Sequence, residues 1–229
     1  MKTVCKENMC AGCMACVDIC PKHAVSIVDD IEYMNAIVDT SLCVKCNACY
    51  NVCQQNRPAE LRKPQSWFQG WGNKDTRATS SSGGLGQELM RTMLRAGGVV
   101  AACRLRDGEF KFELIEKESE IDAFIGSKYV KSNPIGIYRK IKDKLKENKQ
   151  VLFIGLPCQV SSLRNYVRDD NNLYTVDLIC HGSPSVKLLQ KAIKEYGYDL
   201  SKAKSVYFRR SNHFSIETQP IQIVPAGVR

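Results

Sequence analysis

The chain has 229 residues, 44% of them hydrophobic, and a formal charge of +9. That length can bury one substantial core plus a smaller accessory unit. No run approaches the roughly 20 apolar residues of a membrane helix, and residues 1–8 lack the apolar stretch of a signal peptide, so a cytoplasmic protein without a membrane span is expected. Charge is unevenly shared: residues 1–60 carry five Lys/Arg against seven Asp/Glu, and residues 61–229 carry 28 against 17. The basic part contains no nucleic-acid module, and in "RKIKDKLKEN" its lysines alternate with apolar residues as on a solvated helix face. Nucleic acid is therefore not expected as a partner, and the charge reads as surface with some attraction for anionic cofactors.

Nine of the twelve cysteines fall in the first quarter of the chain. In a long chain without an export signal such thiols more often ligate metal than pair as disulfides. "CAGCMACVDICP" (10–21) and "CVKCNACYNVC" (43–53) repeat one spacing, and C-x2-C-x2-C-x3-C-P is the bacterial ferredoxin run. There, three close cysteines grip one 4Fe-4S cube and the distant fourth ligates the other. By that crossing rule Cys10, Cys13, Cys16 and Cys53 hold a first cluster, and Cys43, Cys46, Cys49 and Cys20 a second. Pro21 stops the short helix of the first run; the second has Gln54 instead. Zinc fits less well, because its tetrahedral sites favour two separated C-x-x-C pairs.

Between the two runs, "AVSIV" and "NAIVD" flank Asp29 and Asp30 and predict a hairpin. Cys5, on a strand before the first run, is expected to be a buried apolar residue and not a ligand. Residues 1–60 thus read as a two-cluster ferredoxin domain of α+β class. Residues 61–79 read as a linker, with Trp67 and Trp71 expected to dock it by packing against a core or interface.

From Ser80 strands and helices alternate, which predicts an α/β domain with a largely parallel sheet over residues 80–229. "SSSGGLGQELMRTMLRAGG" opens a helix with Leu85, Leu89 and Met93 at helical spacing. "VVAAC" and "FKFELI" read as strands, "IGIYRKIKDKLKEN" as an amphipathic helix and "VLFIG" as a buried parallel strand. A helix from "PCQVSSLRNYV", a strand "LYTVDLIC", a helix from "PSVKLLQKAIKEY" and a last strand "SVYFRR" follow. Two places carry chemistry. Serines and glycines at 80–84 precede a helix, where unpaired N–H groups attract a phosphate. "VLFIGLPCQ" and "VDLICHGSPS" bring Cys158, Cys180 and His181 to the carboxyl ends of strands, where ligands bind in open α/β sheets. Cys103 reads as core.

"SSGG" (81–84), "GSKYVKS" (126–132), "VLFIGLPCQ" (151–159) and "DLICHGSPS" (177–185), in that order behind a ferredoxin unit, resemble the beta-subunit family of coenzyme F420 hydrogenases and dehydrogenases over roughly residues 1–210. The resemblance implies an iron-sulfur flavoprotein oxidoreductase with FAD in the α/β domain. Its partner would be a redox protein or a small redox coenzyme such as a deazaflavin, within a larger redox complex. By position it implies Ser82, Gly83, Gly84, Ser127, Lys128, Tyr129, Pro157, Cys158, Gln159, Cys180, His181 and Gly182 as the flavin neighbourhood, with Lys128 as a cation beside the flavin or its phosphates. A non-catalytic electron-transfer subunit is the alternative. Relatives continue beyond "SVYFRR", so the tail "SNHFSIETQPIQIVPAGVR" is expected to mark a truncated or altered end.

Overall fold

The computed structural model describes residues 2–61, 63–168, 170–210 and 213–218. Its first part is built on an antiparallel hairpin, β1 (Val25–Asp29) with β2 (Met34–Val38), in register from Val25↔Val38 to Asp29↔Met34. The N-terminal segment adds to the other edge of β2 through a bridge from Thr3 to Ile37 and a Val4 N–H bond to the Ala36 carbonyl.

Two five-residue helices, α1 (Ala15–Ile19) and α2 (Ala48–Val52), flank the hairpin. At that length neither would persist alone in water. Both start after a left-handed residue, Met14 at φ 59° and Asn47 at φ 58°, and both end on an extended cysteine, Cys20 and Cys53. The cysteine repeat is therefore also a backbone repeat.

The second part is a four-stranded sheet in the order β4 (Glu109–Ile115), β3 (Val99–Arg106), β5 (Val151–Gly155), β6 (Leu173–Asp177). Strands β3, β5 and β6 are parallel, as expected for an α/β domain. "FKFELI" departs from that pattern. Asp107 and Gly108 both lie at positive φ in a two-residue turn, which can join only antiparallel neighbours, and β4 pairs with β3 accordingly. Helices α3 (Lys74–Thr79), α4 (Leu85–Arg95), α5 (Ile137–Lys146), α6 (Pro157–Val167) and α7 (Val186–Glu195) complete this part.

Three expectations are corrected. Trp67, Phe68 and Trp71 do not pack; they are 86%, 94% and 62% exposed. Helix α4 buries Gln87, Met90 and Leu94, whereas Leu85 and Leu89 face outward, because the helix lays Met90 and Leu94 against Val100, Ala102 and Leu152 of the sheet. "SVYFRR" does not join the main sheet. It lies in β7 (Ala203–Arg210), paired antiparallel with β8 (His213–Thr218) from the tail that the sequence left unassigned. Residues 219–229 of that tail lie outside the described residues.

One apolar core runs through both parts. Ala15, Val25, Ala36 and Val52 belong to the same buried cluster as Ile137, Tyr138, Ile141, Phe153, Leu163 and Tyr166. Polar ties reinforce it: Tyr138 Oη donates to the Cys13 carbonyl at 2.7 Å, Arg139 N–H donates to the Asp18 carboxylate at 3.1 Å, and Ser185 Oγ donates to the Asp29 carboxylate at 2.5 Å. Among the described residues no helix is long and apolar enough to cross a membrane.

Candidate metal centres

Two cavities in the first part are lined by thiols. One, of about 120 Å³, is lined by Cys20, Cys43, Cys46 and Cys49; the other is smaller and is lined by Cys10, Cys13, Cys16 and Cys53, with Cys5 on its wall. Each set takes three cysteines from one run and the fourth from the other, as the crossing rule requires.

The reason is geometric. Each run winds its first three thiols around one cavity, and the short helix that follows carries the fourth to the opposite cavity. The turns that do this need positive φ, supplied at Gly12 and Met14 in the first run and at Lys45 and Asn47 in the second. Gly12 has little room for a side chain, since an added Cβ would lie 2.6 Å from Met34 Sδ.

Backbone amides point at the sulfurs. Gly12 N–H donates to Cys10 Sγ at 3.4 Å, Lys45 N–H to Cys43 Sγ at 3.4 Å and Ala24 N–H to Cys20 Sγ at 3.3 Å. Such donors favour thiolates over thiols. Against this, burial pushes the Cys13 thiol up to about 11, with the Ser162 hydrogen bond opposing, and raises Cys16 and Cys10 as well. Metal binding must displace those protons.

A single zinc ion needs three or four donors converging at about 2.3 Å on one point. Among the described residues no group of three His, Cys, Asp or Glu is placed to hold one ion. Four thiols spaced around a cavity suit instead a group that brings its own bridging sulfides. Cys5 is buried, as expected, but it stands beside Cys53 and Cys10, and burial together with those neighbours pushes its thiol up to about 12.

The motif segments of the second part meet along one strand of chain, residues 126–132. At its start, Ser127 N–H donates to Ser81 Oγ of the serine-glycine loop at 3.1 Å. One residue before its end, Lys131 N–H donates to the Pro184 carbonyl at 2.7 Å. At its end, Gln159 Nε2 donates to Ser132 Oγ at 3.1 Å, both residues buried.

Lys131 also reaches the first part: its Nζ donates to the Ala11 carbonyl at 2.8 Å, inside the first cysteine run. It lies near enough to Cys158 to oppose the effect of burial on that thiol, which Cys180 reinforces. Register explains the thiol pair, because Gly155 and Asp177 are partners on neighbouring parallel strands and each cysteine follows three residues later.

The other expected site residues are placed as follows. Gly84, at φ 77°, caps α4 with no side-chain bond to the helix amides, and Ser82 and Gly83 precede it. Gln87, whose Nε2 bonds Ser80 Oγ of that loop, leaves its buried Oε1 without a protein donor, as does Ser183 Oγ in the "CHGSPS" loop for its own oxygen. Pro157 opens α6 and Cys158 follows it. Cys180, His181 and Gly182 are exposed, with Gly182 N–H on Cys180 Sγ at 3.4 Å. Tyr129 packs edge-on against Phe208. Lys128 turns inward, its Nζ donating to the Phe124 and Ile125 carbonyls, and burial holds its pKa down to about 8.

Sequence reasoning missed Lys131, Ser162 and Tyr138. Ser162 Oγ is hydrogen-bonded to Cys13 Sγ at 3.1 Å from helix α6. Lys131 was visible as the second lysine of "GSKYVKS", but only the fold shows that it spans the two parts.

A thiol-lined α+β unit packed on an α/β sheet defines a two-part iron-sulfur protein. Residues 7–57 match the 4Fe-4S dicluster domain, and residues 148–225 match the C terminus of the coenzyme F420 hydrogenase/dehydrogenase beta subunit. The chain thus carries one segment similar to a 4Fe-4S dicluster domain and another similar to the C terminus of that beta subunit, and the second match runs on into the tail beyond "SVYFRR". No curated protein sequence matches it. Among solved structures it is similar in fold to a chain of the xenon-derivatised F420-reducing NiFe hydrogenase complex from Methanosarcina barkeri. Identity is 20% and the TM-score 0.51, over 68% of this chain and 58% of the other. The chain therefore spans less than two thirds of that relative.

Proposed function

We propose that this chain is an iron-sulfur flavoprotein subunit that passes electrons between FAD in its α/β part and two 4Fe-4S clusters, within a larger redox complex. Cys10, Cys13, Cys16 and Cys53 would hold the first cluster and Cys43, Cys46, Cys49 and Cys20 the second. The observation that carries the reading is the convergence of the serine-glycine loop, Gln159, the Pro184 loop and the first cysteine run on residues 126–132.

The donor set fits a flavin dinucleotide. The amides opening α4 suit a phosphate, and Gln87 and Ser183 keep buried oxygens without protein donors. Bound there, FAD would link two-electron exchange with a deazaflavin or another small redox substrate to single-electron steps through the clusters. The chain's own residues supply the rest. Lys131 bridges the cysteine run and the strand ends, Tyr138 pins the Cys13 backbone, and α6 closes water out from one side of the first cavity.

One observation favours the alternative of a non-catalytic electron-transfer subunit. Lys128, expected beside the flavin, has its ammonium bonded to two backbone carbonyls instead.

Material reconstituted without oxygen should contain about eight irons per chain. Adding FAD should quench the fluorescence of Trp71, one of only two tryptophans, since Trp71 Cβ lies 3.4 Å from where a Cβ on Gly83 would stand, and the signal should be lost in Trp71→Phe but kept in Trp67→Phe. Gly84→Ala, strained at φ 77°, should weaken FAD uptake while leaving iron content unchanged. Full iron with no flavin taken up would remove the enzyme reading and leave the electron-transfer one. Turnover with the reduced deazaflavin coenzyme that depends on added FAD would do the reverse.

A further inference from the structure

We infer that the rim of the cavity formed by Cys20, Cys43, Cys46 and Cys49 is the docking face for an acidic one-electron carrier protein. The inference rests on the reading that this cavity holds a cluster, and it adds where electrons cross the protein surface and what kind of partner brings them.

The two thiol sets differ in how far they lie from solvent. Cys46 is exposed and Cys43 and Cys49 are partly so, whereas Cys13, Cys16 and Cys53 are buried, with α6 over Cys13. Electron tunnelling falls off steeply with distance, so an external protein exchanges electrons faster with the set it can approach.

The rim also has the composition of an interface. Val44 and Tyr50 on the cavity wall are 56% and 50% exposed, and neighbouring Leu42 is 51% exposed. The only charged side chains lining the cavity are Lys2, Lys22 and Lys45, all exposed and none in an ion pair among the described residues. An apolar centre within a single-sign rim is how a carrier-docking surface combines contact with orientation.

The rim's sign runs against that of its surroundings, since residues 1–60 as a whole carry more acids than bases. Asp39, the one acid between β2 and α2, has its carboxylate held by Ser41 N–H and Oγ at 2.9 and 2.6 Å. Three lysines around an exposed thiol set call for a partner of opposite charge. A second copy of this chain, itself at +9, is disfavoured at such a face.

The test uses the reconstituted holoprotein, with iron content measured first. Its reduction by a reduced plant-type 2Fe-2S ferredoxin, an acidic carrier, is followed by stopped flow without oxygen. Combined Lys2→Glu, Lys22→Glu and Lys45→Glu substitution should slow that reduction by at least about tenfold at low ionic strength, and the difference should shrink toward high salt. The matching Lys→Gln series should fall between. Reduction by dithionite should be unchanged, and so should the ferredoxin rate in a variant carrying Lys140→Glu, Lys191→Glu and Lys194→Glu, which are exposed elsewhere.

Equal slowing by both lysine sets, or no slowing by the first, would overturn the docking face while the clusters stand. A wild-type dimer in sedimentation that the first set dissociates would assign the face to a second copy instead. Missing iron in wild-type protein would remove the cluster reading itself, and the docking face with it.

Discussion

Ser162 Oγ lies 3.1 Å from Cys13 Sγ, although the two residues are 149 positions apart, and both are buried. A hydroxyl facing a thiolate donates, and a donor stabilises the more negative, reduced state of whatever that thiolate ligates.

Ser162→Ala should therefore lower the reduction potential of the first cluster, by an amount on the order of tens of millivolts. The second cluster, which Ser162 does not touch, should keep its potential. A potentiometric titration followed by EPR without oxygen reads both; equal shifts in the two, or none, would show that the bond has no such effect.

The crossing of the two runs makes a sharper claim about single cysteines. Cys20→Ser should abolish the second cluster although Cys20 belongs to the first run, and Cys53→Ser should abolish the first. Iron content should drop from about eight to about four per chain in either case. Loss of the cluster belonging to the mutated run, in EPR of each variant, would refute the assignment.

Lys128 gives a pH dependence. Its pKa is held down to about 8 by burial, with Cys103 opposing and Arg104 adding to the effect. Between pH 8 and the ordinary lysine range the unfolded chain binds more protons than the folded one, so stability rises with pH over that window. Below it both states are protonated, and the cost of burying the ammonium is fully present. Wild-type protein should thus gain stability relative to Lys128→Met as pH climbs from about 8 to about 10.4, by roughly 1–3 kcal/mol. Denaturant unfolding of the pair at several pH values checks it; a constant difference would mean that the amine is not desolvated.

The cysteine runs were legible because spacing alone decides which thiols can wrap one centre, and the local backbone follows from it at Met14 and Asn47. The parallel strands were legible from their apolar runs. Strand β4 was legible from "FKFELI", but its antiparallel direction depends on the Asp107–Gly108 turn and not on the strand and helix alternation around it. The aromatic segment misled for a different reason: composition marks Trp67 and Trp71 as burial material, but the backbone of Trp71 follows the Gly83 loop while both rings stay largely exposed. Lys131 and Ser162 act across the two parts of the chain, and no local pattern encodes which distant backbone a side chain will meet.

The undivided core has a consequence for anyone who would treat the cysteine-rich segment as a cassette. Severing the chain after the second run would strip Tyr138, Leu163 and Tyr166 of their neighbours and leave each fragment with a greasy wound where its other half had been. The border drawn by motif is thus no border in material terms, and transplanting the iron-binding portion onto another scaffold would require carrying along the helical surface that seals it.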